Sequence, residues 1–108
     1  MPHIRVRGMY EEDVRSLAPT FVDQIEKLVE CPRDHISIEV VPTIWITEAG
    51  ACEAYPFFEM HWFDRGQEVQ DKVASALTDT VLEMGFEEVA VVFYALQENK
   101  YYDNGQHY

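Results

Sequence analysis

The first candidate for chemistry in this chain is a backbone nitrogen. Pro2 follows the initial methionine in Met1-Pro2-His3-Ile4, and a small second residue of this kind normally allows that methionine to be removed. The proline would then be a secondary amine fixed at the start of a strand, fit to act as a base or a nucleophile. Proline is also a tolerated first residue of a strand, since it has no N–H to give to the ladder, so position alone leaves both readings open. His3 and His61 have side chains suited to shuttling protons, although a histidine on a sheet face is more often structural. Cys31 and Cys52 lie far apart, with no Cys-x-x-Cys pair and no histidine at metal spacing. That pattern reads as two reduced thiols and no metal site.

The elements that must position these groups follow from periodicity. His3 to Arg7 alternates, with Ile4 and Val6 on one face and His3, Arg5 and Arg7 on the other, as in a half-buried strand. From Glu11 to Glu30, apolar residues from Val14 to Val29 recur at helical steps, acids fill the first turn, and Pro32 stops the helix. His35 to Val41 reads as a second strand and Thr43 to Thr47 as a short third. Glu48 to Glu53 has no period and reads as an exposed loop. Pro56 opens another strand, with Phe58, Met60 and Trp62 inward. Asp64 and Gln67 resemble a capping box opening a second helix striped by Val69, Val73, Ala76, Leu77, Val81 and Met84. Gly85 stands at its C′ position, and Val89 to Leu96 is a continuous apolar strand.

Two stretches, 2–42 and 56–96, repeat one another as strand, helix, strand. Pro2, Ile4 and Val6 match Pro56, Phe58 and Met60, and Val14, Val22 and Ile36 match Val69, Leu77 and Val91 at nearly constant register. Each β-α-β unit implies a parallel pair with a right-handed crossover. The expected fold is therefore α/β, specifically an α+β two-layer sandwich with a four-stranded mixed sheet and two helices on one face. One domain is expected over 1–108, with 97–108 a polar tail whose Asn104-Gly105 signals a hairpin turn. His3, Arg5, Arg7, Ser37, Glu39, Glu59, His61, Val92 and Tyr94 should project from the other sheet face. Interleaved opposite charges and aromatics there suit packing against copies of the same chain. Tyr101, Tyr102 and Tyr108 are expected at an interface, with Tyr101 at the rim of a pocket.

Composition excludes several classes of partner. Twenty acids against eight bases give a net charge of −12, which opposes binding to nucleic acid or to an anionic membrane. No apolar run approaches a spanning helix, and the charged N-terminus lacks the apolar segment of a signal peptide, so a cytoplasmic location is the default.

With Pro2 heading a strand, two β-α-β halves and a short hairpin between them, the chain resembles the tautomerase superfamily. The run from Cys31-Pro32-Arg33-Asp34 to Val41-Pro42 is similar to the helix-to-strand passage of macrophage migration inhibitory factor. The match is tightest with an uncharacterised bacterial branch of tautomerase-like proteins, sharing Met1-Pro2-His3-Ile4-Arg5, Cys31-Pro32-Arg33-Asp34 and Trp62-Phe63-Asp64-Arg65-Gly66-Gln67-Glu68-Val69-Gln70. The resemblance implies a homotrimer whose sheets form an inner barrel, with each site near an N-terminal proline at a subunit boundary. It also implies keto–enol tautomerisation, or a related proton transfer, on a small carbonyl acid. Pro2 would be general base, with no cofactor and no metal.

The departures are specific. The pocket lysine of migration inhibitory factor falls at Cys31, and its pocket tyrosine and asparagine fall at Ala90 and Val92. The arginines of the oxalocrotonate tautomerase type fall at Ser37 and near Glu11 or Glu12. An enolate still needs a cation or preorganised N–H donors. Arg33 and Arg65 are the nearest replacements by segment, though Arg33 could simply pair with Asp34 or Glu30, and Arg65 with Glu68. The substrate-binding candidates are thus Arg33, Arg65, His3 and Tyr101. The alternative function is a non-catalytic trimeric binding or scaffold protein that retains the fold.

Overall fold

Alternation in the first strand decides which face of the sheet is buried. In the computed structural model, which describes residues 1–108, β1 (His3–Arg7) buries Ile4 and Val6 completely and turns His3, Arg5 and Arg7 the other way. Helix α1 (Glu11–Val29) follows, burying Val14, Leu17, Phe21, Ile25 and Val29 along one stripe. Glu30 ends it in the left-handed region at φ 57°, so the stop precedes Pro32 by two residues. Pro19 lies inside α1 on its exposed side, where its missing N–H leaves the Arg15 carbonyl without a helical partner. Arg33–His35 form one 3-10 turn, and β2 is Ser37–Val40, two residues shorter at its start than the alternation predicts. Pro32 and the turn it opens consume the first part of that run.

The connector is a hairpin. β3 (Trp45–Thr47) pairs with β4 (Gly50–Cys52), so half of the stretch expected as an aperiodic loop is a strand. The alternation rule misses it because all three β4 residues are exposed and no apolar face marks it. β5 (Phe57–Trp62) buries Phe58, Met60 and Trp62 as expected, and Glu59 with them. Helix α2 (Gln67–Glu83) begins after Gly66, without a side-chain cap. Asp64 instead accepts the Gly66 N–H at 2.7 Å, and Gln67 donates forward to Asp71, so the expected capping box does not form. β6 (Ala90–Ala95) is followed by a tail hairpin of β7 (Tyr102–Asp103) and β8 (Gln106–His107). Asn104 and Gly105 turn it with φ 53° and 84°, the two positive angles that a two-residue hairpin turn requires.

The four main strands are ordered β2-β1-β5-β6, with β1 parallel to β2, β5 parallel to β6 and β1 antiparallel to β5. Both crossover helices cover one face, and the fourteen-residue apolar core lies between helices and sheet. Its largest members are Trp62, Phe21 and Phe58, with the Phe21 and Phe58 rings 5.4 Å apart. No helix is long and apolar enough to cross a membrane. This is an α+β two-layer sandwich, with two helices on one face of a four-stranded mixed sheet, as the repeated halves imply.

Candidate active site at the amino-terminal end

Register places Pro2. Because His3 stands opposite Ser37 on one side and His61 on the other, the start of β1 lies beside the start of β2 and the end of β5. The Pro2 ring is fully buried, and its carbonyl accepts the Ser37 N–H at 3.2 Å. Beyond Trp62 the chain runs straight into Phe63, Asp64 and Arg65, so the topology carries the turn before α2 to the amino terminus. Cys31, just past the end of α1, is brought there as well.

The charges at this end act on one another. Burial lowers the affinity of the Met1 amine for its proton; Cys31 opposes this, the Arg65 guanidinium lowers it further and Asp34 raises it. Burial likewise pushes the Cys31 thiol up, against the pull of the amino terminus and Arg65. Arg65 donates from Nη1 to the Phe63 carbonyl at 2.6 Å and has no carboxylate partner, since Glu68 pairs with Lys72 instead. Arg33 is spoken for. It reaches back along α1 to Asp23 at 2.8 Å and Glu26 at 3.3 Å, rather than to Asp34 or Glu30, and both contacts hold its proton more tightly.

His3 points to the open sheet face rather than into the core. A carboxylate can only accept, so His3 Nε2–H donates to Glu39 Oε1 at 3.0 Å, which leaves Nδ1 to accept from the Ser37 hydroxyl at 2.6 Å. Glu39 is thereby held below the usual carboxylate range, first by the His3 hydrogen bond and then by the charges of His3 and Arg5. Arg5 Nε lies 2.8 Å from Glu39 Oε1 but off the line of a hydrogen bond, so it is an ion pair by distance only. Arg7 Nη2 donates to Glu59 at 2.6 Å, His61 Nε2 lies 3.4 Å from the same carboxylate, and the His61 and Tyr94 rings stack at 4.8 Å. Arg5 Nε and Arg7 Nε are nonetheless buried without a hydrogen-bond partner, so a single chain does not satisfy this face completely.

Tyr101 is brought to the Pro2 end by the tail. Its ring packs edge-on to Phe63 at 5.8 Å and against Tyr108 at 4.9 Å, and burial raises its hydroxyl above the ordinary tyrosine range. The structure therefore gathers Pro2, Arg65 and Tyr101 at one end, leaves Arg33 on the flank of α1, and sets His3 on the neighbouring sheet face. Spacing gave no sign that Cys31 and Phe63 join this group, because the contacts link segments far apart in the chain.

Two cavities lie elsewhere. One of about 490 Å³ runs between the helices along Ser16, Gln24, Asp79 and Thr80. The other, about 640 Å³, sits at the opposite end of the sheet between Tyr10, Val41, Ile44, Trp45 and Phe86. No group of three or more His, Cys, Asp or Glu side chains is placed to hold a metal ion.

Comparison with known proteins places this architecture. A protein from Sebaldella termitidis ATCC 33386, described as a domain of unknown function (DUF1904), is 37% identical over 100% of both chains, with a TM-score of 0.94. A protein of unknown function from Vibrio cholerae O1 biovar eltor str. N16961 is 35% identical over 99% of this chain and 87% of its own, with a TM-score of 0.88. At the level of fold alone, a macrophage migration inhibitory factor-like protein from Entamoeba histolytica matches at 12% identity over 99% and 98% of the two chains, with a TM-score of 0.74. Pt0534, solved after inactivation by 2-oxo-3-pentynoate, matches at 16% identity over 98% and 93%, with a TM-score of 0.77. No curated protein matches by sequence. The model of the domain of unknown function DUF1904 matches residues 1–107, and with that full-length match the chain belongs to the DUF1904 family, on the fold of the tautomerase superfamily.

Proposed function

We propose that this protein is a cofactor-free enzyme of the tautomerase type, acting on a small carbonyl acid with Pro2 as general base once Met1 has been removed. The observation that carries the reading is the burial of Pro2 at the head of β1, in a setting where the amine of the preceding Met1 is already disfavoured as an ammonium, first by burial, with Cys31 opposing and Arg65 adding to it. The same burial would favour the neutral form of the Pro2 amine once Met1 is gone, and a neutral amine can accept a proton. In the reaction, the amine takes a proton from the carbon beside the carbonyl. The C–H electron pair forms the enol double bond, and the carbonyl oxygen gathers negative charge before it is protonated. Arg65, a cation without a carboxylate partner, is the group that would hold the substrate's carboxylate or that developing oxyanion.

Two further facts support it. Pt0534 is inactivated by an acetylenic 2-oxo acid, which is the class of substrate proposed for this chain. A fused 4-OT described as a symmetric trimer shares the fold at 14% identity with a TM-score of 0.75. Homotrimeric assembly of this chain, with the Pro2 site at a subunit boundary, is part of the proposal, and the cavities between the helices and at the opposite end of the sheet do not touch Pro2.

The second reading is a non-catalytic trimeric binding or scaffold protein. What favours it is that Arg33 is committed to Asp23 and Glu26, while the position of migration inhibitory factor's pocket lysine holds the buried Cys31, whose ionisation burial suppresses. Intact mass, followed by rates of keto–enol conversion for arylpyruvates and hydroxymuconate-type acids, separates the two. Loss of Met1 is expected, with activity falling about 10²-fold or more in Pro2→Ala. Arg65→Ala should raise KM, and Arg33→Ala should leave both constants unchanged. A native protein that retains Met1, or equal rates in wild type and Pro2→Ala, would leave the scaffold reading.

A further inference from the structure

Arg65 is an exposed side chain on a turn, and nothing ionic pins it. The next residue, Gly66, sits at φ 92° with open space around it, a conformation that few residues adopt and that does little to stiffen the turn. Left to itself, a long cationic side chain on such a turn samples many rotamers and spends little time at any one place. In the structure its charge lies near enough to bear on both the amino terminus and Cys31. The contacts around Phe63 are the ones that restrain the turn there.

The guanidinium is tied at 2.6 Å to the Phe63 carbonyl, so wherever Phe63 goes, Arg65 follows. The Phe63 ring in turn is gripped from two sides, by Tyr101 at 5.8 Å with planes 65° apart and by Tyr108 at 5.3 Å. Those two rings contact each other at 4.9 Å, and the Tyr108 N–H donates to the Tyr101 carbonyl at 3.1 Å, which closes the tail into a loop around the Asn104-Gly105 turn. Three aromatic rings at these separations and tilts form the kind of contact that adds to simple burial.

We propose that the carboxy-terminal hairpin is a clamp: Tyr101 and Tyr108, by holding the Phe63 ring, are positioning residues that keep Arg65 beside the amino terminus. Its catalytic consequence rests on the function proposed above, but the clamp is testable without any substrate. A tail that merely covers apolar surface would affect stability and nothing else. A tail that aims Arg65 affects the charge felt by the amine, because a guanidinium that drifts away no longer disfavours the ammonium form. Cys31 and Asp34, the other groups acting on that amine, are untouched by changes in the tail.

The readout is the titration of the amino-terminal amine in the full-length protein. It is followed as the pH dependence of its acylation by an amine reagent, with mass spectrometry of the N-terminal peptide identifying the residue that carries it. Arg65→Ala should raise the midpoint. Tyr101→Ala with Tyr108→Ala should raise it in the same direction by a substantial part of that shift. Tyr101→Phe with Tyr108→Phe, which keeps all three rings, should restore the wild-type value. If the double alanine variant fails to fold, Tyr108→Ala alone and Phe63→Leu serve in its place, with the same direction expected. An unmoved midpoint in a folded alanine variant overturns the clamp, as does an unmoved midpoint in Arg65→Ala. With a keto-acid substrate that turns over, the alanine variants should raise KM several-fold with kcat little changed. Shifted amine midpoints in a protein without tautomerase activity would uphold the clamp and remove the proposed function.

Discussion

Gly8, which closes β1, is the position where a single methyl group should do the most damage. Its φ is +81°, and a Cβ there would lie 1.9 Å from the Tyr55 carbonyl oxygen and 2.5 Å from its carbonyl carbon. The first distance is roughly 1.5 Å short of an ordinary non-bonded contact. The obstacle is backbone, so no rotamer change relieves it. The segment that must retreat leads into Pro56, whose carbonyl accepts the Ala90 N–H, and into Phe57, which pairs with Arg7. Gly8→Ala therefore combines the cost of a positive φ, about 1–2 kcal/mol, with a backbone displacement of the order of overpacking, about 1–3 kcal/mol. The sum, about 2–5 kcal/mol, is a large part of the ~5–15 kcal/mol that holds a domain of this kind together. It should lower Tm by about 10–25 °C. Gly66→Ala is the control, because its φ is +92° but nothing lies within 4 Å of the added Cβ. Only the conformational term should remain there, about 1–3 kcal/mol, since φ 92° with ψ 161° is a region adopted almost only by glycine. Urea and thermal denaturation of both variants measure the difference. Gly8→Ala no more destabilised than Gly66→Ala, within about 0.5 kcal/mol, would refute the steric reasoning.

Two further outcomes are expected of the sheet face. Glu59→Gln keeps the shape of a side chain that is only 11% exposed but leaves Arg7 facing a neutral amide. A loss of about 1–3 kcal/mol in chemical denaturation is expected, reduced from the fully buried case because Arg7 is one third exposed. A stable Glu59→Gln would mean that the pair contributes nothing. Glu39 supplies a pH test. Its folded carboxyl titrates below its unfolded value, first because of the His3 hydrogen bond, so its contribution is present above about pH 4.3 and is lost as pH falls through the folded value. Glu39→Gln should flatten that part of the acid limb of a stability–pH curve, and an unchanged limb would place the linkage on other carboxylates.

Sequence periodicity carried the fold far because most elements bury one clean face. Ile4 and Val6, then Phe58, Met60 and Trp62, alternate inward along their strands, and Val73, Leu77 and Val81 follow one helical stripe. It failed where no such face exists. β4 is exposed on both sides, so nothing marks it, whereas the end of α1 falls within one residue of where the apolar stripe stops, set by the left-handed Glu30 rather than by Pro32. The site was legible only in pieces. Pro2 was visible because its chemistry comes from position, and Arg65 because it lies just after a strand. The link between them depends on the antiparallel pairing of β1 with β5, a tertiary fact. Arg33 and Arg65 look equivalent as sequence, and they separate only because Glu26 and Asp23, about one and two turns before the end of α1 at Val29, lie within reach of Arg33.

The order of causes at the amino terminus says how the work is divided in such a site. Desolvation is the largest influence on the Met1 amine; Cys31 comes next, in the opposite sense, and Arg65 after it. A base tuned mainly by burial keeps most of its readiness to accept a proton when a neighbouring cation is lost, whereas an anionic substrate in a chain of net charge −12 keeps little of its binding. Buried Cys31 strengthens this division. A lysine at that position would both lower the amine's proton affinity and attract the substrate, while a thiol whose own ionisation is suppressed by burial does neither. On the proposed function, basicity then belongs to the buried start of β1 and attraction to the turn at Arg65, and the two are joined through Phe63 and the tail.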